Sequence, residues 1–268
     1  NISETILEKV VENSATDLVF VDNFSVDSLF PEPARTIDKN GIGIYLRVTA
    51  STALIGLREV REISGIPYVM VRARALRPHQ LRLKRFFELI VVLAISPIIF
   101  ITTLVVSLWL KAVLGSNIFL TQKRVGMDEK VFTLFKFRTM RVDAELERGA
   151  QLAESDDARV VKGCHWLRRT RFDELPQFWN VIKGDMSLVG PRPERPELVA
   201  DFAKVIPGYG RRHEIPPGIT GLAQTRGRYH TDASYKLGHD LQYLMSWSLI
   251  LDLQIIARTL VVMFRRKL

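Results

Sequence analysis

The chain has 268 residues, 47% of them hydrophobic, so it can hold one large domain or two small ones around a buried core. Its formal net charge of +9 points to a polyanionic partner such as nucleic acid, a phosphate compound or an acidic membrane surface. The single cysteine, Cys164, excludes an internal disulfide framework, and we expect it to be a small buried side chain rather than a nucleophile.

Residues 1–77 alternate between helical and strand-like segments. The apolar runs at 17–22 (DLVFVD), 42–48 (IGIYLRV) and 67–72 (PYVMVR) are predicted to be short buried strands. Strands that alternate with helices are typical of an α/β layer with a parallel sheet. The segment lacks a GxGxxG loop, so we interpret it as an incomplete regulatory or docking domain.

A long hydrophobic segment follows. The 22 residues from Leu89 to Leu110 carry no charge, and about 20 apolar residues suffice to cross a bilayer. Pro97, preceded by Ser96, lies inside the segment, where it removes a backbone donor and bends or breaks the helix. Two arrangements are open: a kinked helix that crosses the membrane, and a re-entrant helix that returns to the face it entered from.

Basic residues flank this segment on both sides. They are Arg72, Arg74, Arg77, Arg82, Lys84 and Arg85 before it, and Lys111, Lys123, Arg124 and Lys130 after it. Cytoplasmic flanks of membrane segments are enriched in such residues, so both flanks obey the rule together only if both stay on the cytoplasmic side. A break at Pro97 leaves arms of roughly 16 and 21 Å at ~1.5 Å per residue, each short of the ~30 Å hydrocarbon core. We therefore favour the re-entrant helix, with Ser96 and Pro97 marking the break.

The chain beyond Gly115 is mixed and polar. The segments at 118–126 (IFLTQKRVG) and 130–140 (KVFTLFKFRTM) flank a turn and are predicted to form a β-hairpin. Lys136 and Arg138 are two residues apart, so on a strand they would face the same way.

The stretch from Thr170 to Glu194, TRFDELPQFWNVIKGDMSLVGPRPE, contains an amphipathic pattern. One helix face would carry Leu175, Phe178, Trp179 and Ile182. Asp173 is a candidate N-cap, and Gly184 is a stop signal. The helix is thus predicted to start at the carboxylates Asp173 and Glu174, where its N-terminal amides favour anions.

Charged residues surround this predicted helix start. Arg168, Arg169 and Arg171 precede the two carboxylates, and the later segment GPRPE fixes the backbone around Arg192 between two prolines. A carboxylate pair with several arginines suits a metal-bound diphosphate, because the cation offsets phosphate charge and arginine grips the oxygens with two hydrogen bonds. Taken alone, the same residues also fit an N-cap aspartate with surface arginines in ion pairs.

The last segment, WSLILDLQIIARTLVVMFRRKL (247–268), has an apolar face interrupted by Asp252 and Arg258, and a basic tip. Such a helix is predicted to lie in a membrane interface rather than to cross it. Packing against the protein's own core is the open alternative.

Together these motifs resemble the bacterial sugar transferases, the monotopic polyprenyl-phosphate phosphoglycosyl transferases that start surface-glycan assembly. The resemblance runs from about Leu81 to Leu268. It rests on the Ser-Pro-interrupted hydrophobic helix and on QKRVG (122–126), KFRTM (136–140), LRRTRFDELPQFWNVIKGDMSLVGPRPE (167–194), PPGITGLAQ (216–224) and WSLILDLQIIARTL (247–260). Residues 1–77 resemble, more loosely, the Rossmann-like domain that precedes this core in longer members.

The resemblance implies a partial Rossmann-like α/β domain over residues 1–77 and a mixed α+β, membrane-associated catalytic domain over residues 78–268. The second domain would have a re-entrant membrane helix and interfacial helices. The implied reaction starts when an aspartate attacks the β-phosphorus of a UDP-sugar, releasing UMP and keeping the sugar phosphate covalently bound. Undecaprenyl phosphate then accepts the sugar phosphate.

Matching the motifs position by position implies roles for six residues. Asp173 would be the nucleophile, and Glu174 its partner; both would be ligands of Mg²⁺. Phosphate binding would fall to Arg168, Arg192, Lys136 and Arg138.

The implied location is the cytoplasmic face of the bacterial inner membrane, with no nucleic acid as partner. The N-terminal part is a candidate surface for a homodimer. A competing interpretation is a membrane-attached binding or scaffold protein whose basic surface engages anionic lipids or nucleic acid. It explains the charge and the hydrophobic segment but not the Asp-Glu pair or the Pro-Arg-Pro loop.

Overall fold

The computed structural model describes residues 6, 8–10, 12–21, 34–40, 42–48, 60–71, 76–141, 159–226 and 232–265. The chain divides into two compact units, Asn1–Ala75 and Leu76–Leu268.

The first unit contains one four-stranded sheet. Its elements are β1 (Asp17–Phe20), α1 (Ala34–Lys39), β2 (Gly43–Arg47), β3 (Val60–Ile63) and β4 (Ile66–Val71), and the strand order is β1-β2-β4-β3. Strands at the three predicted positions are confirmed. The core of the unit packs α1 on the sheet through the buried Ala34, Ile37 and Ile44.

The prediction of a parallel sheet is wrong for two of the three strand pairs in this unit. β1 and β2 are parallel, whereas β4 runs antiparallel to both β2 and β3. The cause is the two-residue turn at Ser64 and Gly65, which have φ angles of 51° and 77°. Positive φ at both positions closes a tight hairpin, and a hairpin reverses the chain. Only the β1–β2 pair therefore has the arrangement expected of a Rossmann-like layer.

The second unit begins with α2, a helix of 37 residues from Pro78 to Leu114. It is long and apolar enough to cross a membrane, and only 11% of its most apolar window is buried. Large apolar side chains are exposed along its length, among them Phe86, Leu89, Leu93, Ile98, Phe100, Ile101, Leu104 and Leu108. An apolar surface of this extent marks a membrane or protein interface, so the helix is compatible with membrane association.

α2 runs through Pro97 without interruption. In a regular helix the carbonyl of Leu93 would accept the N–H of residue 97, which proline lacks. The hydroxyl of Ser96 donates to that carbonyl instead, at 2.8 Å, and so satisfies the acceptor that Pro97 leaves open. The sequence predicted a break at Ser96 and Pro97, but the helix is continuous there. The re-entrant arrangement stays a prediction.

The predicted hairpin is confirmed as β5 (Phe119–Val125) and β6 (Val131–Phe137), paired antiparallel with Phe119 opposite Phe137. The main core cluster of the unit joins α2 and β6 to the helix α3 (His165–Thr170). Its buried members are Val106, Leu110, Phe137, Val160, Cys164 and Leu167. Cys164 has no exposed surface, which confirms that it is a buried apolar side chain.

The rest of the unit consists of short elements and two longer helices. They are a 3-10 turn (Phe172–Glu174), α4 (Gln177–Lys183), β7 (Ser187–Val189), α5 (Pro196–Val205), a second 3-10 segment (Tyr209–Glu214), β8 (Gly218–Thr220), α6 (Leu222–Arg226), α7 (Ala233–Ser246) and α8 (Leu249–Arg265). β7 and β8 form a parallel pair. The described chain is thus a mixed helix-and-strand structure with one long apolar helix.

The last helix, α8, has two different faces. Asp252 and Ile255 are buried. Asp252 forms an ion pair with Lys84 of α2, with 2.9 Å between Oδ2 and Nζ. On the outside, Ile250, Leu253, Leu260 and Val261 are exposed. Packing on the protein's own core is therefore confirmed, while a position in the membrane interface stays a prediction that the exposed apolar face favours.

Candidate active site

The two adjacent carboxylates lie in a 3-10 turn and not at the start of a helix. The N–H groups of Glu174 and Leu175 bond to the carbonyls three residues earlier, those of Arg171 and Phe172, at 3.1 and 3.3 Å, which is the 3-10 pattern. α4 begins only at Gln177, with Pro176 as the residue before it. The prediction that Asp173 caps the helix is therefore wrong. The predicted stop at Gly184 is confirmed, because this residue ends α4 with a φ angle of 95°.

Glu174 is buried among three cations. Its carboxylate accepts a hydrogen bond from Nη2 of Arg192 at 3.0 Å, and it lies 3.6 Å from Nη1 of Arg171 and 3.7 Å from Nζ of Lys136. These cations come from three separate parts of the chain, and Arg171 adopts a left-handed conformation with φ 57°. The negative charge of Glu174 is thus fully compensated inside the protein.

The environments of the two carboxylates push their pKa values apart. Burial and, next to it, the negative charge of Glu174 raise the pKa of Asp173 to about 6, against the opposing charges of Lys136, Arg168 and Arg192. For Glu174 burial acts in the same upward direction, but the charges of Arg192, Lys136 and Arg171 outweigh it and lower the pKa to about 2. Neighbouring acids that separate in this way are typical of catalytic sites.

The pKa of Lys136 also departs from its ordinary value. Burial lowers the pKa of its ammonium group to about 8, although the charge of Glu174 opposes the shift. Lys136 is therefore mostly protonated at neutral pH and can bind an anion.

Asn180 holds α4 against the hairpin. Its side chain has no exposed surface, accepts the N–H of Phe135 at 3.1 Å and donates to the carbonyl of Thr133 at 2.8 Å. The amide therefore bonds to β6 as a neighbouring strand would, and it fixes the register of Lys136 against Glu174. Sequence reasoning missed this residue, whose only local signal is an amide inside an amphipathic helix.

The Pro-Arg-Pro loop is held by its carbonyl groups. The four consecutive carbonyls of residues 191–194 each accept a hydrogen bond. The donors, in order, are the N–H of Gly218 at 2.9 Å, the guanidinium of Arg212 at 2.9 Å, the guanidinium of Arg124 at 3.2 Å and the N–H of Val125 at 3.0 Å. The loop is therefore anchored along its whole length, and the side chain of Arg192 is left to contact Glu174.

The glycines of this region permit the anchoring. A Cβ atom on Gly218 would lie 2.1 Å from the backbone nitrogen of Gly190, so only glycine allows the two backbones to approach this closely. This accounts for PPGITG as a rigid structural turn.

Arg212 is itself buried and paired. Its guanidinium lies 2.8 Å from Oδ2 of Asp240 and donates to the hydroxyl of Tyr209 at 2.5 Å. No local pattern indicates this pair, because α7 brings Asp240 to Arg212 from another part of the chain.

The structure brings most of the predicted phosphate-binding residues together. Lys136 and Arg192 contact Glu174 directly, and the charge of Arg168 acts on Asp173. The guanidinium of Arg138 donates to the carbonyls of Asn117 at 2.6 Å and Ser116 at 3.2 Å. β6 ends at Phe137, so Arg138 lies just beyond the strand; that its side chain faces the same way as Lys136 and binds phosphate stays a prediction.

The donor set suits a metal ion that arrives with a phosphate substrate. Within the parts of the chain that the structure describes, no group of three or more His, Cys, Asp or Glu side chains is arranged to hold a metal. The charge of Glu174 is already compensated, which leaves Asp173 as the carboxylate free to meet a further cation. Mg²⁺ is commonly held by one or two carboxylates together with substrate phosphates, and these residues fit that pattern.

Comparison with known proteins places this arrangement in a family. The family model described as bacterial sugar transferase matches residues 79–266. A UDP-glucose:undecaprenyl-phosphate glucose-1-phosphate transferase of Klebsiella pneumoniae is 40% identical over 207 residues, covering 74% of this chain and 43% of that protein. A UDP-N-acetylgalactosamine-undecaprenyl-phosphate N-acetylgalactosaminephosphotransferase of Aeromonas hydrophila is 38% identical over 181 residues, covering 66% of this chain and 43% of that protein.

A shorter relative is covered more fully. An uncharacterized sugar transferase of Bacillus subtilis is 41% identical over 184 residues, which is 66% of this chain and 85% of that protein. The chain spans less than half the length of the two larger relatives. The match of the family model extends from the start of α2 to just past the end of α8 and includes Glu174 and the three cations around it. The chain therefore belongs to the bacterial sugar transferases.

Proposed function

We propose that this protein transfers a sugar 1-phosphate from a UDP-sugar to undecaprenyl phosphate through a covalent intermediate on Asp173. The observation that carries the proposal is the asymmetric pair: Glu174 is neutralised by three cations, while Asp173 beside it has its pKa raised to about 6. The Klebsiella and Aeromonas relatives carry names for this type of reaction. Asp173 is still largely ionised at pH 7 and needs no separate base to become a nucleophile.

In the first half-reaction an oxygen of Asp173 forms a bond to the β-phosphorus, and the bond from that phosphorus to the bridging oxygen breaks. The electron pair of the broken bond leaves with UMP, and the sugar phosphate stays on the protein as an acyl phosphate. In the second half-reaction an oxygen of undecaprenyl phosphate attacks the same phosphorus. The acyl phosphate bond breaks, which regenerates the carboxylate of Asp173 and gives undecaprenyl-diphospho-sugar.

The cations of the site have a common role in both steps. The approach of a carboxylate to a diphosphate is opposed by charge repulsion, and fixed positive groups stabilise the charge on the phosphoryl oxygens in the transition state. Arg192, Arg168 and Lys136 are the residues that we assign to this task. The backbone of Arg192 is already held in place without substrate, because Arg212 and Arg124 bond to the carbonyls of its loop.

We assign Mg²⁺ to the substrate side of the site, with Asp173 as the carboxylate free to meet it; Glu174, the second predicted ligand, is already paired with three cations. When bound, the ion would neutralise diphosphate charge. An excess of chelator should abolish UMP release and added Mg²⁺ should restore it; full turnover in chelator would contradict the assignment.

The membrane part of the proposal rests on α2. Its exposed apolar surface favours a protein attached to the cytoplasmic face of the bacterial inner membrane, with the helix re-entrant. We propose further that residues 1–77 form a docking domain, with a homodimer as one use of it. A scaffold protein remains the competing proposal, and it predicts no turnover of UDP-sugars.

The decisive experiment uses a UDP-sugar and Mg²⁺ without lipid. We expect up to one equivalent of UMP and a mass increase of one sugar phosphate, located on the peptide that contains Asp173. Asp173→Asn should lose both signals. Asp201→Asn is the matched control, because Asp201 forms only an exposed ion pair with Lys204 at 3.0 Å. UMP release only after lipid is added would show that Asp173 does not form the intermediate.

A further inference from the structure

One apolar helix face next to the carboxylates is not covered by protein. This is the amphipathic face predicted for α4, in which Trp179 is 59% exposed and Ile182 is 49% exposed. Together with Phe178, these side chains form one wall of a cavity of about 260 Å³. We call this cavity the α2–α4 groove.

The opposite wall of the α2–α4 groove is a single stripe of α2. It includes Val92, Ser96, Ile99 and Thr103, which are spaced by four, three and four residues and therefore share one helix face. At ~1.5 Å per residue the stripe is about 17 Å long. The cavity is slightly smaller than the ~300 Å³ at which small-molecule pockets begin, so it fits a segment of a chain rather than a whole lipid.

The walls are fixed to each other. Arg85 of α2 donates to the carbonyls of Val181 at 2.6 Å and Ile182 at 3.0 Å, at the C-terminal end of α4. Asn180, on the same helix, is bonded to β6. The α2–α4 groove is therefore part of the folded structure and does not result from loose packing.

The groove reaches the 3-10 turn Phe172–Glu174, which we call the catalytic turn. Leu175 and Pro176, which follow Glu174 directly, contribute to its lining. An acceptor whose phosphate lies among Arg168, Lys136 and Arg192 thus has an apolar channel beside it, and this channel continues along the face of a membrane-associated helix.

We propose that the α2–α4 groove holds the first isoprenoid units of the polyprenyl phosphate acceptor. This inference rests on the proposed function. In a polyprenyl phosphate the phosphate is attached directly to the hydrocarbon chain, so the charge can lie at the cations while the chain enters at Leu175. In a phospholipid, ester and glycerol oxygens separate the phosphate from its chains. Those oxygens would lie against Leu175 and Pro176 without hydrogen-bond donors, which is unfavourable.

The first test narrows the groove. Ile99→Trp should fill it, while Leu104→Trp places the same side chain on a different face of α2, where residue 104 is 49% exposed. In each variant the rate of UMP release without lipid is measured first, to show that the donor site is intact. In variants that pass this check, Ile99→Trp should raise the KM for undecaprenyl phosphate about tenfold relative to wild type. Leu104→Trp should leave this KM within about twofold of wild type.

Equal effects of the two substitutions, or no effect of Ile99→Trp, would overturn the proposal for the groove. Failure of the wild-type protein to release UMP without lipid would instead count against the covalent intermediate. The two ideas can therefore fail separately.

The second test identifies the occupant directly. A polyprenyl phosphate with a diazirine in its second isoprene unit, added to wild-type protein in vesicles, should label peptides that contain residues 92–103 or 175–182. Undecaprenyl phosphate should compete for this labelling, and phosphatidylglycerol should not. Equal competition by phosphatidylglycerol, or labelling confined to other segments, would show that the groove is not the acceptor site.

Discussion

The carboxylate of Glu174 and the guanidinium of Arg192 form a hydrogen bond of 3.0 Å, although 18 positions separate them in the chain. Through this contact the Pro-Arg-Pro loop and the catalytic turn share one electrostatic centre. A change at Glu174 should therefore alter both the position of Arg192, to which we assign phosphate binding, and the ionisation of Asp173.

The acid limb of the pH dependence should report Asp173. The free carboxyl group has a pKa of about 3.9, whereas burial and Glu174 raise the pKa of Asp173 to about 6. Protonation removes the nucleophile, so the rate of lipid-free UMP release should fall as the pH drops through about 6. The measurement is the second-order rate constant of lipid-free UMP release at low UDP-sugar concentration against pH, which follows the free enzyme. An acid limb that lies near pH 4 would contradict this prediction.

Glu174→Gln should shift the same limb to lower pH. The substitution removes the negative charge that raises the pKa of Asp173, and it leaves the charges of Lys136, Arg171 and Arg192 uncompensated beside it. Both changes favour ionised Asp173. We expect slower turnover, because the position of Arg192 is disturbed, with the covalent adduct still on Asp173. An unshifted or raised acid limb would mean that Glu174 does not control the ionisation of its neighbour.

Arg192→Lys should impair the first half-reaction although it keeps the charge. Lysine cannot form the two parallel hydrogen bonds that a guanidinium offers to phosphate or carboxylate. We expect UMP release to slow by about 10²-fold, the scale for loss of one positioned donor. Lys204→Arg, at an exposed position of α5, is the control for a change between the same two residue types. A rate within a few-fold of wild type would remove Arg192 from the phosphate site.

Asp240→Asn should destabilise the protein strongly. It leaves the guanidinium of Arg212 buried without its 2.8 Å partner, and loss of one member of a buried ion pair costs about 3 kcal/mol or more. The control is Asp201→Asn at a surface pair, where about 0–1 kcal/mol is expected. Unfolding in denaturant, followed by tryptophan fluorescence, compares the two. Equal midpoints would show that Arg212 does not depend on Asp240.

The re-entrant arrangement of α2 predicts the labelling of two introduced cysteines. His79 and Ser116 lie in exposed positions near the two ends of the helix, and the native Cys164 is fully buried. Cysteines at both positions should react with an impermeant reagent from the cytoplasmic side only. Labelling of either one from the periplasmic side would establish a helix that crosses the membrane. Pro97→Leu restores the missing N–H and would favour that crossing form.

Local patterns in the sequence predicted the elements that depend on neighbouring residues. The β5–β6 hairpin and the end of α4 at Gly184 follow from alternation and from the left-handed conformation that glycine tolerates. The predicted start of the helix at Asp173 was wrong, because the chain forms a separate 3-10 turn over Phe172–Glu174 before α4 begins at Gln177. The sequence pattern also did not predict that the guanidinium of Arg138 bonds to the carbonyls of Asn117 and Ser116.

Contacts between distant segments were not predictable in this way. The side chain of Asn180 bonds to the backbone of β6. Arg212 donates to the carbonyl of Arg192 and forms a buried ion pair with Asp240. Neither has a periodic signal, because a side chain bonded to the backbone of a remote element leaves no trace in the spacing of its own neighbours. The predicted chemistry of Asp173, Glu174 and Arg192 came from the resemblance to a family, whereas the residues that support them became visible only in the structure.

The hydrogen bonds to the carbonyls of residues 191–194 make the position of this loop depend on other segments of the protein. Pro191 and Pro193 offer no N–H, so the contacts that hold the loop backbone depend on donors from the hairpin, from the 3-10 segment that contains Arg212 and from the start of β8. A chain in which any of these segments has not yet folded carries Arg192 on an unfixed loop. The position of Arg192 beside Glu174 thus depends on three segments that are distant in the chain, and a defect in any one of them should be felt at this contact.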